Sequence, residues 1–97
     1  MKANSYLIGN STVITVSIYH DGVLVDPVNL IFTYELPDST KITYTYGVTS
    51  DIVKLSTGIY SVTVNLNQAG AWKYRWATTS PSTGAIEGFL LVTPSIL

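Results

Sequence analysis

The stretch GIYSVTVNLNQAGAWKYRW, residues 58–76, holds two runs of strict alternation. Tyr60, Val62, Val64 and Leu66 form the first, and Trp72, Tyr74 and Trp76 the second. A period of two over six or more residues is the pattern of a half-buried β-strand. Between the runs, Asn67-Gln68-Ala69-Gly70 supplies turn residues, and Gly70 takes a positive φ without steric penalty. The spacing therefore predicts a β-hairpin whose inner face carries both tryptophans, with Trp72 largely buried on an interior strand.

Working outward, every flanking segment repeats the pattern. Residues 12–19, TVITVSIY, set Ile14, Val16 and Ile18 against Thr15, Ser17 and Tyr19. His20-Asp21-Gly22 reads as a turn, and Val23-Leu24-Val25 as a short extended piece stopped at Asp26-Pro27, because proline cannot donate to a ladder. Residues 28–36 put Val28, Leu30, Phe32 and Tyr34 on one face and Ile31, Thr33 and Glu35 on the other. After the Pro37-Asp38-Ser39 turn, Lys41–Tyr46 alternates Ile42, Tyr44 and Tyr46 against Lys41, Thr43 and Thr45. Residues 52–55 are a weaker strand candidate, 78–84 a loop, and 86–93 the last strand, ended by Pro94. With Glu87 in solvent, Ile86, Leu90 and Val92 face the core while Phe89 and Leu91 point outward; a bulge at Gly88 would reverse this.

No segment repeats apolar residues at helical spacing. About seven short strands with turn signals every 8–12 residues predict an all-β fold. The expected architecture is an immunoglobulin-like antiparallel β-sandwich, formed as a single domain over residues 1–97. In it the strands at 28–36, 71–78 and 86–93 lie side by side. Their outer face then carries Ile31, Thr33 and Glu35, then Lys73 and Arg75, then Glu87, Phe89 and Leu91.

Composition narrows the function. Charged residues make up 11% of the 97 residues, less than half the usual share, so Ser, Thr and Asn must build the polar surface. Such a surface suits a subunit packed into an assembly; it equally suits a domain that uses threonine as a strand former. A net charge of −1 argues against nucleic acid as a partner, since phosphate binding needs clustered Lys and Arg. With no cysteine, disulfides and thiolate metal sites are unavailable. Polar residues interrupt the N-terminal apolar run, so neither a signal peptide nor a membrane span is expected, and the chain is read as complete.

Chemistry is sparse. His20 is the single histidine and reads as a solvated turn residue. Four of the six carboxylates sit beside Gly, Pro or Ser in turns, where Asp bonds the local backbone. Asp21 and Asp26 lack the spacing of a calcium loop, and no glycine-rich phosphate loop occurs. No catalytic residue, cofactor or metal is assigned. The tyrosines and tryptophans would suit a sugar-stacking platform, but they share a face with the aliphatic residues and read as core.

Gly58-x-Tyr60, Ala69-Gly70-x-Trp72-x-Tyr74-Arg75-Trp76, Glu87-Gly88 and Val92-x-Pro94-Ser95 occur here in that order. Upstream lie Gly22-x-x-Val25-Asp26-Pro27, Leu36-Pro37-Asp38 and Thr43-Tyr44-x-Tyr46-Gly47. Over most of its length the chain thus resembles a family of small immunoglobulin-like proteins encoded among the structural genes of tailed bacteriophages and prophages. The resemblance implies a non-enzymatic virion component, a capsid decoration, neck or tail subunit, made in the host cytoplasm. Its implied partners are other phage structural proteins, with a homo-oligomer as a further option and neither nucleic acid nor membrane. The second reading, of a different class, is a carbohydrate-binding or adhesion module of the same fold. The residues expected to meet a partner are Ile31, Lys73, Arg75, Phe89 and Leu91, where apolar side chains gather on an outer face.

Overall fold

The computed structural model describes residues 4–79 and 83–94, with side-chain burial described from residue 6. Among these residues there is no helix and there are ten strands. They are β1 (Asn4–Leu7), β2 (Ser11–Ser17), β3 (Tyr19–His20), β4 (Val23–Leu24), β5 (Leu30–Glu35), β6 (Lys41–Thr45), β7 (Ile52–Ser56), β8 (Ile59–Asn65), β9 (Gly70–Thr78) and β10 (Gly84–Thr93). The expected loop at 78–84 lies partly outside the described residues, at 80–82, as does Ser95.

A five-stranded sheet runs β1-β10-β9-β5-β6, a three-stranded sheet runs β2-β8-β7, and β3 and β4 form a small ribbon. Both larger sheets turn one face to a shared core. The three-stranded sheet contributes Ile14, Val16, Ile52, Tyr60, Val62 and Val64; the five-stranded sheet contributes Leu30, Phe32, Trp72, Trp76, Leu90 and Val92. Period-two alternation produces this directly, because successive side chains leave a strand on opposite faces. β2 shows it without a break, with Thr12, Ile14 and Val16 buried and the residues between them exposed.

The expected hairpin over 58–76 is replaced by a different connection. β8 pairs with β2 and β7, and β9 pairs with β5 and β10, so residues 66–69 cross from one sheet to the other. Alternation fixes which face of a strand is inward, and both strands are inward-facing, but it does not say whether they belong to one sheet. Local bonds hold the crossing. The Trp72 indole donates to the Gln68 carbonyl at 3.0 Å, Gln68 Nε2 donates to Asp38 at 3.0 Å, and the Leu66 N–H donates to the Asn10 carbonyl at 2.9 Å. Trp72 is 2% exposed on the central strand of its sheet, as expected.

Four further corrections follow. β1 pairs with β10 in parallel, which makes the larger sheet mixed. Strand β5 begins at Leu30, so Val28 lies outside the ladder and is exposed rather than inward. Tyr46 falls just past β6 and is 39% exposed, with its ring edge-on to Tyr60. Ile86 sits at an inward position of β10 yet is half exposed, because β1 covers only Leu90–Thr93 and leaves the rest of that edge open. The bulge considered at Gly88 does not form: β10 pairs with β9 in unbroken register from Gly84 to Val92. The residue is glycine for a packing reason, since a Cβ there would collide with the Tyr74 hydroxyl.

Candidate functional site: the outer face of the five-stranded sheet

The strands at 28–36, 71–78 and 86–93 do lie side by side, with β9 between β5 and β10. The register sets the outward residues in rows. Lys73 stands between Phe89 on β10 and Glu35 on β5, and Glu35 in turn faces Lys41 on β6. One row on, Arg75 stands between Glu87 and Thr33. Each cation of β9 thus has a carboxylate beside it: Lys73 Nζ lies 3.8 Å from Glu35 and Arg75 Nη1 lies 3.7 Å from Glu87. Exposed pairs of this length contribute at most about 1 kcal/mol each, so they order the face more than they stabilise the fold.

Phe89 and Leu91 are 39% and 41% exposed on this face. An open depression of about 470 Å³ adjoins them, lined by Ala71, Lys73, Tyr74, Glu87, Gly88 and Phe89. Four of the five expected contact residues, Lys73, Arg75, Phe89 and Leu91, therefore gather on neighbouring positions of β9 and β10. Ile31 does not join them. It is paired with Ala77 and Thr45, four positions along β9 from the row that holds Phe89, a separation of about 14 Å along the strand. Reasoning from sequence overlooked Ala71, whose short side chain on the outward face lines the depression beside Phe89; the alternating pattern gave no signal for it.

The residues weighed for chemistry lie elsewhere and apart. His20, expected in a turn, instead ends β3 paired with Val23, and its Nε2 contacts the exposed Asp21 of the following turn at 3.5 Å. Asp26 is engaged by three donors: Lys54 Nζ at 2.7 Å, the Gly58 N–H at 2.9 Å and the Tyr60 hydroxyl at 3.1 Å. The Lys54 bond, followed by the Gly58 N–H, holds the Asp26 carboxyl below the usual carboxylate range. Burial, then the bond to Asp26, pushes the Tyr60 phenol up to about 12. This cluster fastens the segment after β4 to the β7–β8 turn. Among the described residues no three His, Asp or Glu side chains converge as a metal site would require. No helix of the described residues is long and apolar enough to cross a membrane.

Comparison with protein-family models, with curated proteins and with solved structures finds no match for this chain.

Proposed function

We propose that this chain is a non-enzymatic structural or accessory protein of a tailed-bacteriophage virion. It would be a capsid decoration, neck or tail component of immunoglobulin-like fold, docking on neighbouring subunits through the β9–β10 face. The observation that carries the docking is the pair Phe89 and Leu91. Two large apolar side chains stand in solvent on a regular sheet, beside a depression and next to ion-paired Lys73 and Arg75. Apolar anchors with a charged rim are the usual anatomy of a protein–protein interface.

Two features support the immunoglobulin-like reading. The strand orders β1-β10-β9-β5-β6 and β2-β8-β7 agree with a domain whose larger sheet is widened by one strand at each edge. The indole of Trp72 donates back to the Gln68 carbonyl at the entrance to β9, where such domains often place a tyrosine hydroxyl. The choice of a phage particle over other assemblies rests on the sequence resemblance. Burial of Trp72 and Trp76 at 2% exposure favours docking over the carbohydrate-binding reading, since a sugar platform needs its rings in solvent.

The test is a double change, Phe89→Ser with Leu91→Ser. Both side chains are already about two-fifths exposed, so the domain is expected to stay folded by circular dichroism. Purified particles carrying the variant are then expected to lack this chain when imaged by electron microscopy. Normal incorporation of a folded variant would refute the proposed face, and absence of the parent chain from particles would refute the virion role.

A further inference from the structure

The two larger sheets have four edges, and three of them carry features that discourage pairing with another strand. β7 has a register shift between Lys54 and Ser56, and Lys54 is ion-paired to Asp26. β6 opens on exposed Lys41, and β1 is four residues long. Short edges, charges and bulges are the devices by which proteins keep strand edges from pairing. β2 has none of them. It runs seven residues, STVITVS, with no charge, proline or glycine, and its register against β8 is unbroken from Ser11 to Ser17.

The groups on that edge follow from the ladder. Bonds from the Ile18 N–H to the Gly58 carbonyl and from the Leu66 N–H to the Asn10 carbonyl show that even-numbered residues face β8. An antiparallel ladder alternates, so the N–H and C=O of Ser11, Val13, Thr15 and Ser17 point to the open edge. Among the described residues no strand pairs with them.

We infer that this edge pairs with the same edge of a second copy of the chain, antiparallel across a two-fold axis at Ile14. The sequence of β2 nearly reads the same about that residue. Ser11 meets Ser17, Thr12 meets Val16, Val13 meets Thr15 and Ile14 meets itself, so every position faces its own kind or a β-branched side chain of similar shape. The odd-numbered residues would form the hydrogen-bonded pairs, roughly eight backbone bonds in all. With no charge on the strand, nothing repels its own copy, and the sheet continues from three strands to six.

The surroundings fit the same partner. On this side of the molecule Gly84–Phe89 of β10 is also left uncovered by β1. A small cleft between the sheets is lined there by Val16, Ser17, Tyr19, Trp76 and Ile86. Its wall includes the buried Trp76, whose indole N–H has no partner among the described residues. The two-fold brings the start of the second copy's β2, with the strand leading into it, to this end of the sandwich. Half-exposed Ile86, in the lining of this cleft, would then be shielded.

Sedimentation equilibrium of the full chain from micromolar to millimolar concentration tests this. The mass is expected to rise from 10.5 kDa to twice that value. Concentration-dependent slowing of amide exchange is expected at Val13 and Thr15. Thr15→Pro removes an N–H that makes no ladder bond within one copy, and is expected to return the single-chain mass. Val13→Lys, at a side chain already 61% exposed, sets two ammonium groups beside the axis and is expected to do the same. Should Thr15→Pro unfold, Val13→Lys decides alone. A chain that stays monomeric throughout would overturn the inference and leave the edge to an extended segment of another protein. A dimer that survives Val13→Lys with unprotected amides at 13 and 15 would overturn it too, placing the contact on another surface.

Discussion

Replacing Gly58 with alanine gives the sharpest check on how the domain is held together. Gly58 is buried at φ +74°, a region that costs an L-residue about 1–2 kcal/mol. A Cβ there would stand 2.9 Å from the Val25 nitrogen and 3.0 Å from the carbonyl oxygens of Ile18 and Val25. These are backbone atoms with little freedom to retreat. The Ile18 N–H donates to the Gly58 carbonyl at 2.8 Å and the Val25 N–H to the Ile18 carbonyl at 3.0 Å. Overpacking of this kind adds about 1–3 kcal/mol, so the expected loss is about 2–5 kcal/mol. That is a large part of the 5–15 kcal/mol or so that holds a small domain folded. Urea unfolding followed by tryptophan fluorescence reads it directly. With an m-value of about 1.5 kcal/mol/M the midpoint should fall by about 1.3–3.3 M. Gly47→Ala is the control, because Gly47 has φ +86° and nothing within 4 Å of its Cβ position. It should show the conformational cost alone, about 1–2 kcal/mol. Equal losses at the two sites would refute the idea that the backbone around Gly58 is closed to a methyl group.

Trp72→Ala should cost about 3–5 kcal/mol, since it empties a core site and deletes the indole bond to Gln68; a melting point within a few degrees of the parent would contradict this. Because the Asp26 carboxyl is depressed in the folded state, its contribution is present above about pH 4 and is lost as pH falls through the folded value. Asp26→Asn should therefore flatten the acid limb of stability against pH, measured by denaturation at a series of pH values. Tyr60 works in the opposite sense: its raised phenol contributes fully below about pH 10, and that contribution fades as pH rises toward about 12. Tyr60→Phe should remove this alkaline loss. A chelator is expected to leave the melting temperature unchanged, and a calcium-dependent rise would point to Asp21 and Asp26.

Period-two alternation made strand positions and facings legible, and with them the outer face. Phe89, Leu91, Lys73 and Arg75 all point where their spacing placed them. What alternation does not carry is partnership between strands. Asn67-Gln68-Ala69-Gly70 has the residues of a tight turn, and the same residues serve an arch between sheets. β1 escaped notice because NSYL is four residues long and becomes a strand only against distant Leu90–Thr93. The Asp26 cluster was equally silent. An aspartate before proline reads as a strand stop, and nothing in the sequence couples it to Lys54, 28 residues on. Ile86 was oriented correctly, but exposure depends on whether a neighbouring strand covers the edge, which one strand's pattern cannot state.

The arch at residues 66–69 also bears on how the chain finds its fold. A hairpin would let β8 and β9 zip together locally, within microseconds. Here the strands that carry Tyr60 and the two tryptophans meet only face to face through the core, after β8 has found β2 some fifty residues away and β9 has found β5. β5 and β6, β7 and β8, and β9 and β10 are neighbours in sequence as well as in their sheets, so those pairs can form early without burying either tryptophan between sheets. The step that encloses Trp72 and Trp76 is thus a long-range encounter with a large loop-closure cost, which puts this domain among the slower folders, in the range of milliseconds to seconds.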